Sequence, residues 1–205
     1  MDRQTIVAIE REYGSGGHNI AEKVAENLGF KYYDRSMLDE IAKHMDVNTE
    51  MLAKFDEKPK TPVLSRRVGK YTNSMEEILA EYQFEFIRKK AESGESFVIV
   101  GRCANSVLKG TKGLITAFIS SDRDFKIKRI MEEFGIDESE AIAKIMRHDI
   151  KRKRYHNRYS TTRWADISSY DICMKSHLLG IDKTADILTA YIRERMNMEA
   201  EQELE

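Results

Sequence analysis

Cysteine and proline are scarce in this chain, with two of each in 205 residues. Cys103 and Cys173 stand far apart and in no metal-ligand spacing, so packing roles in a reduced compartment are expected rather than a disulfide framework. Pro59 and Pro62 both fall between Asp46 and Asn73, where the periodic signal weakens among lysines, and mark a mobile connection there. No apolar run is long enough to span a bilayer, and Met1-Asp2-Arg3-Gln4 is not an apolar secretory opening; a cytoplasmic location is expected. An excess of one charge is also missing: 34 lysines and arginines face 35 aspartates and glutamates, which argues against a general nucleic-acid binder. What remains, 41% hydrophobic and 34% charged, suits one globular domain with a sizeable core.

The chain opens as strand, glycine turn and helix. Thr5-Ile6-Val7-Ala8-Ile9 is the apolar run that a strand buried on both faces requires. Gly14-Ser15-Gly16-Gly17 interrupts it; then Ile20, Ala21, Val24, Ala25 and Leu28 recur at helical spacing, and Gly29 supplies the stop. Further strands are predicted at Phe30–Asp34, Ser96–Val100, Leu114–Ile119 and Tyr170–Met174. Between them lie helical stretches. A capping box, Ser74-Met75-Glu76-Glu77, opens a helix with Met75, Ile78, Leu79, Tyr82 and Phe86 along one stripe. Ser120-Ser121-Asp122, Asp137 and Asp182 are expected to cap three more, and the acidic end from Glu199 to Glu205 to fray. Strands alternating with helices imply a parallel sheet covered on both faces.

A strand running into a glycine turn and then a helix gathers backbone N–H groups at the positive end of the helix, which suits phosphate. Glu10 to Asn19 occupies that position here. The full motif G-x-x-x-x-G-K-[ST] would place glycine at Arg11, lysine at Gly17 and a hydroxyl at His18; of these positions only Gly16 fits. One cation and one ordinary Mg²⁺ ligand are therefore absent. A tight βα turn without a ligand is the plain alternative.

A second feature is basic. Between Arg147 and Arg163 lie seven lysines and arginines, opposed only by Asp149. Arg147, Lys151, Arg154 and Arg158 are spaced to line one side of a helix. Three readings follow: a solvated face, a nucleic-acid patch, or a lid over polyphosphate, since phosphoryl transfer asks the protein chiefly for positive charge. Tyr155, Tyr159 and Trp164 form no clear stacking platform, which disfavours nucleic acid.

Together these segments resemble the cytidylate kinase-like family, relatives of bacterial cytidylate kinases, from Ile6 to about Ile192. The resemblance is carried by Arg11-Glu12-Tyr13-Gly14-Ser15-Gly16-Gly17 with Ile20-Ala21, by Tyr32-Tyr33-Asp34-Arg35, by Val98-Ile99-Val100-Gly101-Arg102-Cys103-Ala104, by Arg147-x-Asp149-x-x-Arg152 with Tyr155, and by Tyr170-Asp171 followed by Leu179-Gly180-Ile181. It implies a three-layer α/β/α P-loop NTPase fold with a five-stranded parallel sheet, a helical substrate-binding insertion and a small lid. The core would be residues 1–34, 95–146 and 166–196, the insertion 35–94, the lid 147–165 and the tail 197–205. It further implies ATP and Mg²⁺, and transfer of the γ-phosphate to a nucleoside monophosphate or another phosphorylated small molecule.

By position, Gly14, Ser15, Gly16, Gly17, His18 and Asn19, with Arg11 beside them, would hold the donor phosphates. Arg102 matches the arginine of the cytidylate kinase Gly-Arg-Asp motif, which contacts the acceptor. Arg147 and Arg152 match lid arginines, with Arg154 of the same stretch also a catalytic candidate. Asp149 matches the acid between them; Asp34 and Arg35 would orient substrate, although Asp34 could equally cap the next helix. Cys103 replaces the aspartate of Gly-Arg-Asp, so cytosine specificity does not carry over. The charge missing at Gly17 would come from Arg11 or from a lid arginine. The leading reading is thus a phosphotransferase; the alternative is a nucleotide- or anion-binding protein that kept the fold without turnover. No metal ligand set and no oligomeric state can be read.

Overall fold

The computed structural model describes residues 4–45, 48–56, 67–68, 71–72 and 74–202. Much of the connection expected between Asp46 and Asn73, both prolines included, lies outside the described residues. Strand β1 (Ile6–Arg11) leads through the glycine turn into α1 (Gly17–Leu28), β2 (Lys31–Tyr33), α2 (Met37–Met45) and α3 (Thr49–Ala53). A two-residue hairpin, β3 (Arg67–Val68) and β4 (Tyr71–Thr72), precedes α4 (Met75–Glu92). Then come β5 (Phe97–Val100), α5 (Ala104–Val107), β6 (Leu114–Ser120), α6 (Arg123–Phe134), α7 (Glu138–Tyr159), β7 (Ile172–Lys175) and α8 (Gly180–Gln202).

The sheet runs in the order β2-β5-β1-β6-β7, every neighbouring pair parallel. Strand β1 is central, with Ile6 opposite Phe97 on one side and Leu114 on the other, and all six of its residues are buried. That burial accounts for the apolar run 6–9, while Glu10 and Arg11 at its end are buried 3.8 Å from each other. Side chains alternate between faces. Ile6, Ala8, Phe97 and Ile99 pack on Leu38, Leu52, Leu79 and Ile87, from α2, α3 and α4. Val7, Ile9, Val98 and Val100 pack on Ile20 and Val24 of α1 and on Leu188 and Ile192 of α8. The result is three layers, α/β/α.

The crossover from β1 runs to β2 on one side of the sheet, whereas that from its neighbour β6 runs to β7 on the other. Such a switch point opens a crevice at the carboxyl ends of the strands, and the glycine turn leaves β1 there. Helices α6 and α7 pack together over their own small core of Ile127, Ile130, Ala141 and Ile145. Among the described residues no helix is long and apolar enough to cross a membrane.

Strand boundaries shift from the sequence reading by one or two residues, within the ordinary spread of such limits. Two helix ends differ in kind. Helix α8 opens at Gly180, whose φ of 75° lets the chain turn directly into it; Asp182 therefore lies in the first turn, paired with Lys23 at 2.8 Å, and is not the cap. The same helix continues to Gln202 past the point where fraying was expected, with Arg195 and Glu199 paired one turn apart at 3.3 Å. The stretch expected as a lid, 147–165, forms the second half of the continuous α7 and the loop after it.

Phe97 is fully buried and meets Tyr33 edge-on at 5.4 Å between ring centres. Phe97→Ala is expected to lower the unfolding free energy by about 3–5 kcal/mol, measured by urea denaturation.

Candidate functional site

The turn after β1 is pinned from behind. The Glu12 amide donates to the Ile119 carbonyl at 3.0 Å, the Ser15 hydroxyl to the Glu12 carbonyl at 2.9 Å, and the buried Ser176 hydroxyl to the Ser15 carbonyl at 2.6 Å. The Gly17 amide reaches the Ser15 hydroxyl at 3.3 Å. With those groups spent inward, the amides of Gly14, Gly16, His18 and Asn19 donate to no group of the protein among the described residues. Gly14 and Gly16 have φ of 81° and 74°, left-handed values that glycine takes without steric cost. The residues carrying these open amides line a cavity of about 240 Å³ at the start of α1, shared with Arg11, Arg129 and Arg152. Open amides at a helix N-terminus, in a lining where Arg11, Arg129 and Arg152 outnumber Glu12 and Glu133, make a site for a polyanion.

Helices α6 and α7 build the far wall. Asp149 accepts the Tyr13 amide at 2.7 Å, and Lys126 lies 3.8 Å from Asp149 and 3.0 Å from Glu12. Burial pushes the Asp149 carboxyl up, while the Tyr13 amide and the Lys126 and Arg152 charges act the other way. The Tyr13 ring stacks on His148 at 4.1 Å and 7°, with the Arg152 guanidinium 5.5 Å from its centre. Arg152 also donates to the Arg11 carbonyl at 3.2 Å, and Arg129 donates to the Asn19 side chain at 3.0 Å. Burial, then the charges of Arg152, Lys151, Lys144 and Arg147, push the His148 pKa down to about 4.

A second cluster forms at the ends of β2 and β5. Gly101, Arg102 and Cys103 all have positive φ, at 74°, 57° and 53°, and for the two non-glycine residues such backbone costs about 1–3 kcal/mol each. This turn sends the Arg102 side chain into the interior, where it pairs with Asp56 at 2.8 Å; Asp56 also accepts from Gln83 at 3.0 Å, and Gln83 from the Tyr155 hydroxyl at 3.2 Å. Arg35 lies 3.8 Å from Asp56 and reaches the Ala53 carbonyl. Asp34 accepts the Ser36 amide at 2.8 Å and stands 3.7 Å from the His18 ring, which meets the Tyr32 hydroxyl at 3.0 Å. Burial raises the Asp34 pKa, but the Ser36 amide and hydroxyl and His18 outweigh it and leave it lowered.

The structure thus brings Arg11, Gly14 to Asn19 and Arg152 together around one cavity, and Arg35 and Arg102 together on Asp56. Asp149 stands with the first group, behind the glycine turn, not with Asp34 and Arg102. Arg147 and Arg154 are exposed and line neither cluster. Arg158, of the same row, pairs with the buried Glu77 at the start of α4. Lys126, Arg129, His148 and Asp56 were missed. The first two are three apart on α6, a spacing visible in the sequence, but only the packing of α6 on the turn gives it meaning. A larger groove of about 750 Å³ opens between the loop after α5 and the loop before β7. It mixes Lys109 and Arg163 with Asp166 and Asp171, and the amide of Ser168 within it is already taken by Asp166 at 3.1 Å.

A glycine turn at the switch point of a three-layer parallel sheet is the architecture of the P-loop fold. Solved structures share the architecture: a shikimate kinase from Bacteroides thetaiotaomicron at 13% identity and TM-score 0.56, covering 92% of this chain and 98% of that one, and a gluconokinase from Sinorhizobium meliloti at 11% and 0.53, covering 98% of each. At that identity they speak for the fold alone. An uncharacterized protein from Eubacterium ventriosum is 40% identical, with TM-score 0.73 over 93% of this chain and 99% of that one. No curated protein matches the chain. The model of the cytidylate kinase-like family matches residues 6–178, and the chain belongs to that family.

His148 gives the wall a pH signature. Its folded pKa, about 4, lies below its ordinary 6.5, so the unfolded chain takes up the proton first as pH falls. Its contribution to stability is intact above pH 6.5, shrinks as pH drops, and is gone below about 4. His148→Phe keeps a ring against Tyr13 and is expected to flatten this part of the stability profile, read from urea midpoints across that window.

Proposed function

We propose that this protein is an ATP-dependent phosphotransferase that moves the γ-phosphate to a nucleoside monophosphate or a similar small acceptor by direct in-line transfer. The observation that carries the reading is the set of open amides at Gly14, Gly16, His18 and Asn19, facing a cavity that also takes Arg11, Arg129 and Arg152. Membership of the cytidylate kinase-like family supports it. Donor phosphates would lie across the amides, with Arg152 and Arg129 answering the charge that spreads over the transferring oxygens. Arg102 and Arg35 would receive the acceptor, with residues 35–94 as its module and α6–α7 as the clamp on the donor.

The donor site fits a polyphosphate. Mg²⁺ would be held differently from the usual loop, because the Ser15 hydroxyl is bonded to Glu12 and the Asn19 side chain to Arg129. Among the described residues no three potential metal-binding side chains stand together. An ion would be held chiefly by the donor itself, with Asp34, 3.7 Å from the His18 ring, the nearby carboxylate; it would supply charge neutralisation. In-line transfer then needs only that Arg152 and Arg129 hold the donor and Arg102 the acceptor in register.

ATP at about a hundred times its dissociation constant is expected to raise the melting temperature by about 5–10 °C. A coupled assay across the monophosphates with ATP and Mg²⁺ is expected to find turnover, and Arg152→Ala to lower kcat by about a hundredfold or more. Binding without turnover on any acceptor would favour the non-catalytic alternative, and coincident melts with and without nucleotide would overturn both.

A further inference from the structure

In the motif G-x-x-x-x-G-K-[ST] the first position is glycine and the seventh is the lysine that reaches the phosphates. This chain has Arg11 at the first and Gly17 at the seventh. We infer that the two residues have exchanged places, so that Arg11 supplies from the end of β1 the phosphate-binding charge that a lysine supplies from the start of α1.

The reason is steric. A Cβ built on Gly17 would lie 2.5 Å from the Arg11 Cβ, 3.1 Å from its Cγ and 3.3 Å from the Ile119 Cβ. Two side chains cannot start that close together, so a side chain at either position requires glycine at the other. The Arg11 stem therefore crosses the volume from which a lysine at position 17 would set out, and it does so at the mouth of α1. Arg11 lines the cavity with the open amides. Its carbonyl is held by Arg152 at 3.2 Å, and its Nη1 lies 3.8 Å from the buried Glu10 carboxylate, which balances its charge. A planar guanidinium can grip two phosphate oxygens at once where an ammonium offers a point charge.

This inference rests on the donor-phosphate reading, and the test separates the two. Arg11→Met keeps an unbranched stem over Gly17 and removes only the charge. Calorimetric titration with ATP and with inorganic tripolyphosphate, at a temperature where both proteins are folded, is expected to show binding to the parent protein and a loss of about tenfold or more in Arg11→Met, whose melt also falls because the buried Glu10 loses a partner. Arg11→Lys should retain most of the affinity. Gly17→Lys alone should lose binding or fail to fold, while Arg11→Gly with Gly17→Lys should recover most of what Arg11→Gly loses. If that double exchange does not fold, the Met and Lys variants decide. Affinity in Arg11→Met within about twofold of the parent overturns the exchange but leaves the donor site standing. A parent that binds neither ligand overturns the donor site and the exchange together.

Discussion

The hydrogen bond from the Tyr13 amide to the half-buried Asp149 carboxylate, at 2.7 Å, ties the glycine turn to helix α7. It acts together with the Arg152 bond to the Arg11 carbonyl and the Tyr13–His148 stack. With it, the helix that carries His148 and Arg152 keeps a fixed phase against the loop, and Lys126 on α6 completes the join by bridging Asp149 and Glu12. Burying a carboxylate is costly unless amides and cations answer it, and here both do. Everything placed on the donor side, including the stack on Tyr13, follows from that anchorage.

The charges are arranged with the same economy. A net charge of −1 conceals a cavity wall with three arginines, each held by polar neighbours of the fold: Arg11 near Glu10, Arg129 on Asn19 and near Glu133, and Arg152 on the Arg11 carbonyl. Cations tethered in this way are oriented before any ligand arrives, so little ordering remains to be done on binding. Arg102 is held more firmly still, because the left-handed run from Gly101 to Cys103 sets its direction from the backbone.

The sheet was legible because its signal is simple. A strand buried on both faces has to be apolar throughout, and Ile6 to Ile9 and Phe97 to Val100 are; the glycine turn announced itself by composition and by its place after the first strand. The basic helix was harder. Its apolar residues lie mainly in the first half, so the sequence left the phase of the second half open, and the row Arg147, Lys151, Arg154 and Arg158 stood out by charge. Packing chose the neighbouring face instead, with Asp149, Arg152 and His156 turned inward. Asp56 carries no local pattern, and the spacing of Lys126 and Arg129 has no meaning until α6 is packed on the turn. Asp56 and Arg129 each owe their role to an element distant in the chain, Arg102 in one case and Asn19 in the other.

The closeness of positions 11 and 17 also constrains history. Lysine-bearing and arginine-bearing loops cannot be joined by a step that carries both side chains. A lineage changing one codon at a time must pass through a form with glycine at both places, a loop with its amides intact and its own cation gone.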